Sequence, residues 1–368
     1  MIKIPIAKPS IKKIEKKYFL DCIKSEWISS RGKYIVKFEK FINKYLKSKY
    51  CVTCSNGTAA LIIALKACGI KKNDEVIVPD ISFASTINAV INIGAKPIIC
   101  EVDKETWCLD VKKIENRISK KTKAIIPVHI YGNACNMRDI LRIKKKYKLF
   151  IIEDAAEAIG TTYDDKYVGT FGDVGCFSFF ANKVITTGEG GCCITNNKKI
   201  YENLKKWKNN GLSDKKKYYP ILPGYNFKIT NIQSALGLAQ LINIKKFIKK
   251  RNEIRKMYEK GFVNNKFFKK QYISKNIKKS EWLYTVLVQK TNIDKLSKFM
   301  QKEGIETRRI FYPYHKIKIY KKYLPKNFDK KNSSFIHKHG LSLPTYNDLK
   351  NNEINKIILT IKKFLKIK

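Results

Sequence analysis

Between about residues 50 and 195, short apolar runs alternate with helical patterns, and this alternation restricts the chain to few folds. "DEVIVPD", "AKPIICEVD", "KAIIPVHIYG" and "KLFIIEDAAEAIG" each set a short apolar run before polar or small residues. That is the signature of strands buried on both faces. "NGTAALIIALKACGI" reads as a buried helix, with Ser55 or Asn56 as its cap and Gly69 just past its end. Strand, helix, strand in repetition predicts an α/β domain with a mostly parallel sheet. Ligands of such sheets sit beyond the carboxyl ends of the strands, which is where Asp154, His129 and Tyr131 fall. Residues 234 to 260 follow one helical pattern carrying Leu241, Ile244, Phe247, Ile248 and Ile254. Beyond it, shorter strands such as "WLYTVLVQK" alternate with helices. The expected organisation is a large domain over residues 1–250 and a smaller C-terminal α/β domain over 251–368, with no internal repeats.

Composition narrows the function classes. Hydrophobic residues make up 44% of the 368, with aromatics scattered throughout, so the chain is globular rather than disordered. No apolar run is long enough to span a bilayer, and "MIKIPIAKPSIKK" lacks the apolar core of a signal peptide, so a cytoplasmic location is expected. The net charge of +45 raises nucleic acid as a partner. Only eight of the 76 basic residues are arginines, whose planar fork is what reads guanine, and the lysines are dispersed with no basic tail. No nucleic-acid partner is therefore expected; a general pull on anionic substrates is the better use of the charge. The basic 234–260 pattern is expected to pack one face and solvate its lysines rather than lie on a membrane. All ten cysteines fall between Cys22 and Cys193. "CVTC" has no second pair at metal-site spacing, so the cysteines are expected to be reduced core thiols, with no metal.

Against this background one lysine is out of place. Lys183 stands in "CFSFFANKVITTGEGGCCI", a stretch with no other basic residue. A free lysine has a pKa of about 10.4. Burial favours its neutral amine, which can attack a carbonyl. A lysine imine is most useful with pyridoxal 5'-phosphate (PLP), which makes three further demands on a protein. Asp154, ending a buried strand, can keep the pyridine nitrogen protonated. Gly57 and Thr58 at a helix start, with Ser178, can hold the phosphate. Phe83 in "ISFAST" can offer an aromatic face, and the glycines of "TGEGG" let backbone pass close to the cofactor.

In this order the motifs resemble the DegT/DnrJ/EryC1/StrS family of PLP-dependent sugar aminotransferases. The resemblance runs through "SNGTAALIIALKACGI", "DEVIVPDISFAST", "PVHIYGNACNM", "IIEDAAEAIGT", "GTFGDVGCFSFFANKVITTGEGG", "GYNFKITNIQSALGLAQL" and "GIETRRIFYPYH". It implies a fold-type I enzyme: an α/β/α three-layer large domain on a mostly parallel mixed sheet, a smaller C-terminal domain, and a homodimer with shared active sites. By resemblance, Lys183 is the imine-forming lysine, Asp154 the pyridine-nitrogen partner and Glu157 the residue near the cofactor's hydroxyl. Gly57, Thr58 and Ser178 match the phosphate cradle, and Asn226 reaches the phosphate of the neighbouring subunit. Trp27, Ser30, Arg31, Arg308 and His315 are the candidates for sugar-nucleotide contact.

"SEWISSRGKYIVKFE", "HIYGNACNM" and "IFYPYH" are most similar to the perosamine-forming members, which aminate C4 of a GDP-linked 4-keto-6-deoxy sugar for glycan biosynthesis, with L-glutamate as donor. Members acting on UDP- or dTDP-linked sugars, or on 3-keto sugars, share most of these motifs and stay open. So, as non-enzymatic alternatives, do a PLP-binding regulator and a basic nucleic-acid-binding protein. The family arginine after "GYNY" is replaced here by Lys228, which puts a bidentate contact there in doubt. A dehydrating branch that carries histidine at the imine position is disfavoured by Lys183.

Overall fold

The computed structural model describes residues 2–263 and 265–367. Helices α1 (Lys13–Lys24) and α2 (Lys33–Leu46) precede strand β1 (Tyr50–Cys54) and helix α3 (Gly57–Ala67). Then come β2 (Glu75–Pro79), α4 (Ala84–Asn92), β3 (Lys96–Cys100), the short α5 (Val111–Ile114), β4 (Thr122–Ile125), α6 (Met137–Tyr147) and β5 (Phe150–Asp154). A small hairpin, β6 (Thr162–Tyr163) and β7 (Lys166–Tyr167), leads to β8 (Val174–Ser178) and β9 (Gly191–Thr195).

Seven of these strands form one sheet in the order β1-β9-β8-β5-β4-β2-β3. From β3 to β8 the pairing is parallel; β8 to β9 and β9 to β1 are antiparallel. Alternation within the strands sorts side chains to the two faces. Val76 and Val78 of β2 and Ile152 of β5 point to a core shared with α3, α4 and α7 (Lys198–Lys208). Ile77 and Ile151 point to the opposite core, built with α2, α6 and α8 (Asn231–Ile242). The result is the three-layer α/β/α arrangement expected. Helix α3 is buried from Ala59 to Leu65 because it is apolar all round, and Asn56 caps it by accepting the Ala59 N–H at 2.8 Å.

Two local readings need correcting, in "KAIIPVHIYG" and over 234–260, while the cysteines are the core thiols expected: both of "CVTC" lie in β1, and all ten are unpaired and buried. Burial pushes the Cys51, Cys54, Cys192 and Cys193 thiols up, so they pack as small hydrophobes. The strand in "KAIIPVHIYG" stops at Ile125, and the chain turns through Ile130–Gly132 with Tyr131 at φ 54°. The single helix read over 234–260 is two, α8 and α9 (Ile244–Gly261), parted at Asn243. Leu241, Ile244 and Phe247 all face the same core, so the apolar stripe runs on across the break and hides it.

The rest of the chain follows α9: β10 (Phe268–Lys270), β11 (Ile277–Lys278), β12 (Tyr284–Val288), α10 (Ile293–Lys302), β13 (Arg308–Arg309), α11 (Lys331–His339), β14 (Gly340–Leu343) and α12 (Asn351–Leu365). A second sheet runs β10-β12-β14-β13, and β11 joins the β6–β7 hairpin. The expected boundary at 250/251 falls inside α9. Its first half buries Ile244 and Phe247 in the large core, and its second half buries Ile254 and Tyr258 in the C-terminal core. Ile4, near the chain start, bridges to Ile305 and belongs to that C-terminal core too. Among the described residues no helix is long and apolar enough to cross a membrane.

Candidate active site

The carboxyl end of β5 delivers two buried carboxylates with different tasks. Glu153 points into the protein, where it accepts the N–H groups of Gly169, Phe171 and Gly172 at 2.7, 2.7 and 2.6 Å. It also bonds His129 Nε2 at 3.0 Å. Cys135 N–H donates to His129 Nδ1 at 3.2 Å, so Nε2 is the nitrogen that carries the proton given to Glu153. Glu153 thus supports the turn over residues 169–172 and the histidine at once. Glu153→Ala strands all four donors, and a loss on the order of 4 kcal/mol in urea unfolding is expected.

Asp154 faces the other way, into the site. Thr86 Oγ1 donates to its Oδ2 at 2.8 Å and Ala156 N–H to its Oδ1 at 3.2 Å. Burial holds its carboxyl above the ordinary carboxylate range, opposed by these two bonds and by the charge of Lys183.

Lys183 follows β8 in a turn closed by its own N–H on Phe180 O at 2.9 Å. Its side chain is 12% exposed, and Nζ lies 3.8 Å from the Trp282 ring centroid and 3.9 Å from Glu157 Oε1. Burial lowers the amine's pKa; Glu157 and Asp154 oppose that shift, while Arg308 adds to it. Glu157 itself is pushed up to about 7, chiefly by burial, and accepts the Tyr131 N–H at 2.7 Å. That bond holds the strained Tyr131 backbone, whose ring stacks on both Trp282 and Phe311 with planes 13° apart.

The raised Glu157 value sets a sign. The folded protein takes up this proton at a higher pH than the unfolded chain, so stability falls as pH climbs from about 4.5 to about 7. Glu157→Gln should remove that slope in the cofactor-free protein. In urea unfolding at several pH values, the parent should lose on the order of 3 kcal/mol relative to the variant across the window.

Beside these groups lies an anion cradle. The Asn56 cap spends the Ala59 N–H, leaving those of Gly57 and Thr58 at the start of α3. Gly57 has to be glycine, because a Cβ there would sit 2.9 Å from Ser178 Cβ. Gly191 likewise lets β9 pass the cap, where a Cβ would be 2.6 Å from Asn56 O. Thr58 and Ser85 share a hydroxyl bond of 2.7 Å. Phe83, the residue before α4, is 59% exposed, with its ring 5.9 Å from that of Phe311.

Residues 9–362 match the DegT/DnrJ/EryC1/StrS aminotransferase family model. The chain belongs to this family. It is 40% identical over 362 residues to a protein named GDP-perosamine synthase of Escherichia coli O157:H7, covering 98% of each chain. To the protein of the same name from Vibrio cholerae it is 38% identical, over 98% of this chain and 99% of the other. Among solved structures it is similar to PseC of Helicobacter pylori, an aminotransferase involved in pseudoaminic acid biosynthesis, at 27% identity, TM-score 0.93 and 99% coverage of both chains. It is also similar to the E. coli GDP-4-keto-6-deoxy-D-mannose-3-dehydratase with bound hydrated PLP, at 26% identity and TM-score 0.91, over 98% of this chain and 100% of that one.

The cofactor of this family member is PLP, and the residues present fit it. A buried amine of lowered pKa, a buried carboxylate, and a helix start with hydroxyls beside it are the three functions the cofactor asks for. 

The positions assigned to the sugar nucleotide are less gathered. Arg308, on β13, is close enough for its charge to bear on Lys183, and its nearest carboxylate is Glu306 at 3.9 Å. Ser30 and Arg31 line a cleft of about 610 Å³ with Lys205, Lys208, Asn209 and Lys228. Lys228 Nζ donates to Asn209 Oδ1 at 3.3 Å, as a point donor rather than a planar fork. Trp27 is 56% exposed, and its carbonyl accepts from Asn231. His315 is buried with both ring nitrogens engaged, Nδ1 by Asp80 at 2.5 Å and Nε2 by Ser334 at 3.1 Å. Asn226 is exposed, on the segment whose Phe227 carbonyl accepts from Ser55. Sequence reasoning missed Trp282, Thr86 and Ser85, which reach the site from other elements.

Proposed function

We propose that the protein transfers the amino group of L-glutamate to C4 of a GDP-linked 4-keto-6-deoxy sugar, releasing 2-oxoglutarate and a 4-amino-4,6-dideoxy sugar nucleotide. The observation that carries this reading is the full-length similarity, at 37–40% identity, to three proteins named GDP-perosamine synthase. PLP, when bound, supplies an electrophilic carbonyl and a sink for the electrons of a Cα–H bond. Lys183 Nζ, whose burial favours the neutral amine, takes the proton from the donor's Cα and returns one as the sugar is aminated. Asp154, fixed by Thr86 and Ala156, holds a proton at the ring nitrogen. Glu157 holds Tyr131 in place, and the stacked Tyr131, Trp282 and Phe311 rings keep water from the lysine.

The site is completed, in this reading, by a second copy of the chain in the cytoplasm. Phe19, Leu20, Ile23, Trp27 and Ile28 form an exposed apolar face on and after α1 that supports a homodimer, with Asn226 reaching the partner's phosphate cradle. The test is to incubate the enzyme with L-glutamate and a panel of GDP-, UDP- and dTDP-4-keto-6-deoxyhexoses, and to identify products by mass spectrometry and NMR. A GDP-linked 4-amino sugar is the expected product. A second reading, amination of a UDP-linked sugar, is favoured by 32% identity over 88% of the chain to a UDP-4-amino-4,6-dideoxy-N-acetyl-beta-L-altrosamine transaminase of Campylobacter jejuni. Turnover of the UDP substrates alone would select it.

A further inference from the structure

Arg251 is 2% exposed, and among the described residues it is the only arginine that is fully buried. It projects from α9 to three other segments. Nη1 donates to Trp282 O at 2.6 Å and to Thr345 O at 3.2 Å. Nε donates to Asn347 Oδ1 at 3.2 Å, and Nη2 to the carbonyl of Lys183 at 3.3 Å. Among the described residues no carboxylate is hydrogen-bonded to it. A buried guanidinium without a bonded anion is costly, and an apolar side chain of similar volume would fill the space more cheaply. What the charge obtains is the placement of four acceptors, two of which are the carbonyls of Lys183 and Trp282. Trp282 is held from the other side as well, by its Nε1–H on Asn182 O at 2.9 Å.

We infer that Arg251 is a positioning residue, which fixes the Lys183 amine over the indole face of Trp282 by bonding the main-chain carbonyls of both. The lysine sits on a turn of the large domain and the tryptophan beside β12 of the C-terminal one, so their 3.8 Å approach is set by the bonds that join the two, the Trp282 Nε1–H on Asn182 O and the Arg251 fork. A planar fork serves acceptors in several directions at once, whereas an ammonium is a point donor. That explains an arginine at this position in a chain whose basic residues are nearly all lysine.

The test is Arg251→Lys, read in two assays. In the aminotransferase assay, which rests on the function proposed above, kcat should fall about tenfold or more while KM for both substrates stays within twofold. In the cofactor-free protein, pyridoxal with cyanoborohydride labels lysines, and peptide mapping gives the ratio of Lys183 label to surface-lysine label. That ratio should fall severalfold, and it reads Lys183 whatever the sugar substrate proves to be. If Arg251 only held the fold, Tm would drop while kcat and the labelling ratio stayed at parental values, and the inference would be overturned. Should Arg251→Lys fail to fold, Asn347→Ala removes only the Nε acceptor. It should lower both readouts in the same direction, and parental values in both would equally overturn the proposal.

Discussion

Lys183→Ala should leave a folded, colourless protein with no measurable sugar amination. Borohydride reduction of the parent in the presence of PLP should tag one peptide, that containing Lys183, and the variant should show no tag there. The cause is electrostatic: 68 lysines offer amines by the dozen, but almost all are solvated and charged at neutral pH. Among the described residues Lys183 alone combines burial against an indole face with the opposing charges of Glu157 and Asp154. The loss of proton transfer by itself accounts for roughly 10²–10⁴-fold in rate. Full turnover in the variant, or a tag on another lysine, would sink the assignment.

Asp154→Asn is the second large effect. The amide keeps the shape and its one oxygen can still accept from Thr86, with loss of the 3.2 Å bond from Ala156, so the fold should hold, and removal of a buried carboxylate is expected to offset part of that loss in unfolding free energy. The chemistry should not survive as well. An amide cannot keep a pyridine nitrogen protonated, and a glutamate half-reaction slower by roughly 10²–10⁴-fold in single-turnover absorbance is expected. A variant that binds the cofactor and turns over at the parental rate would remove Asp154 from the mechanism.

These two residues were legible because their signals are local. A lysine in a run of apolar and glycine residues, and an acid ending a buried strand, carry their context in neighbouring positions. The Gly57–Ser178 packing could be anticipated for the same reason, since each sits at an element end. Trp282, Thr86, Ser85 and Arg251 could not. Trp282 and Arg251 lie in segments that read as ordinary strand and amphipathic helix, and only tertiary packing brings them to the lysine. The break at Asn243 escaped because core-facing residues on both sides keep the helical period. β1 went unread because "YCVTC" sets one aliphatic residue among cysteines and a threonine, which leaves no apolar run to mark a strand.

Helix α9 has its opening turns embedded in one hydrophobic nucleus and its later turns in the other, while Ile4 pins the start of the polypeptide near its far end. A cut at residue 250 would therefore not release an independent catalytic module. It would tear the rod that both lobes grip and bare apolar surface on each, so the two halves of the molecule must be made, and lost, together.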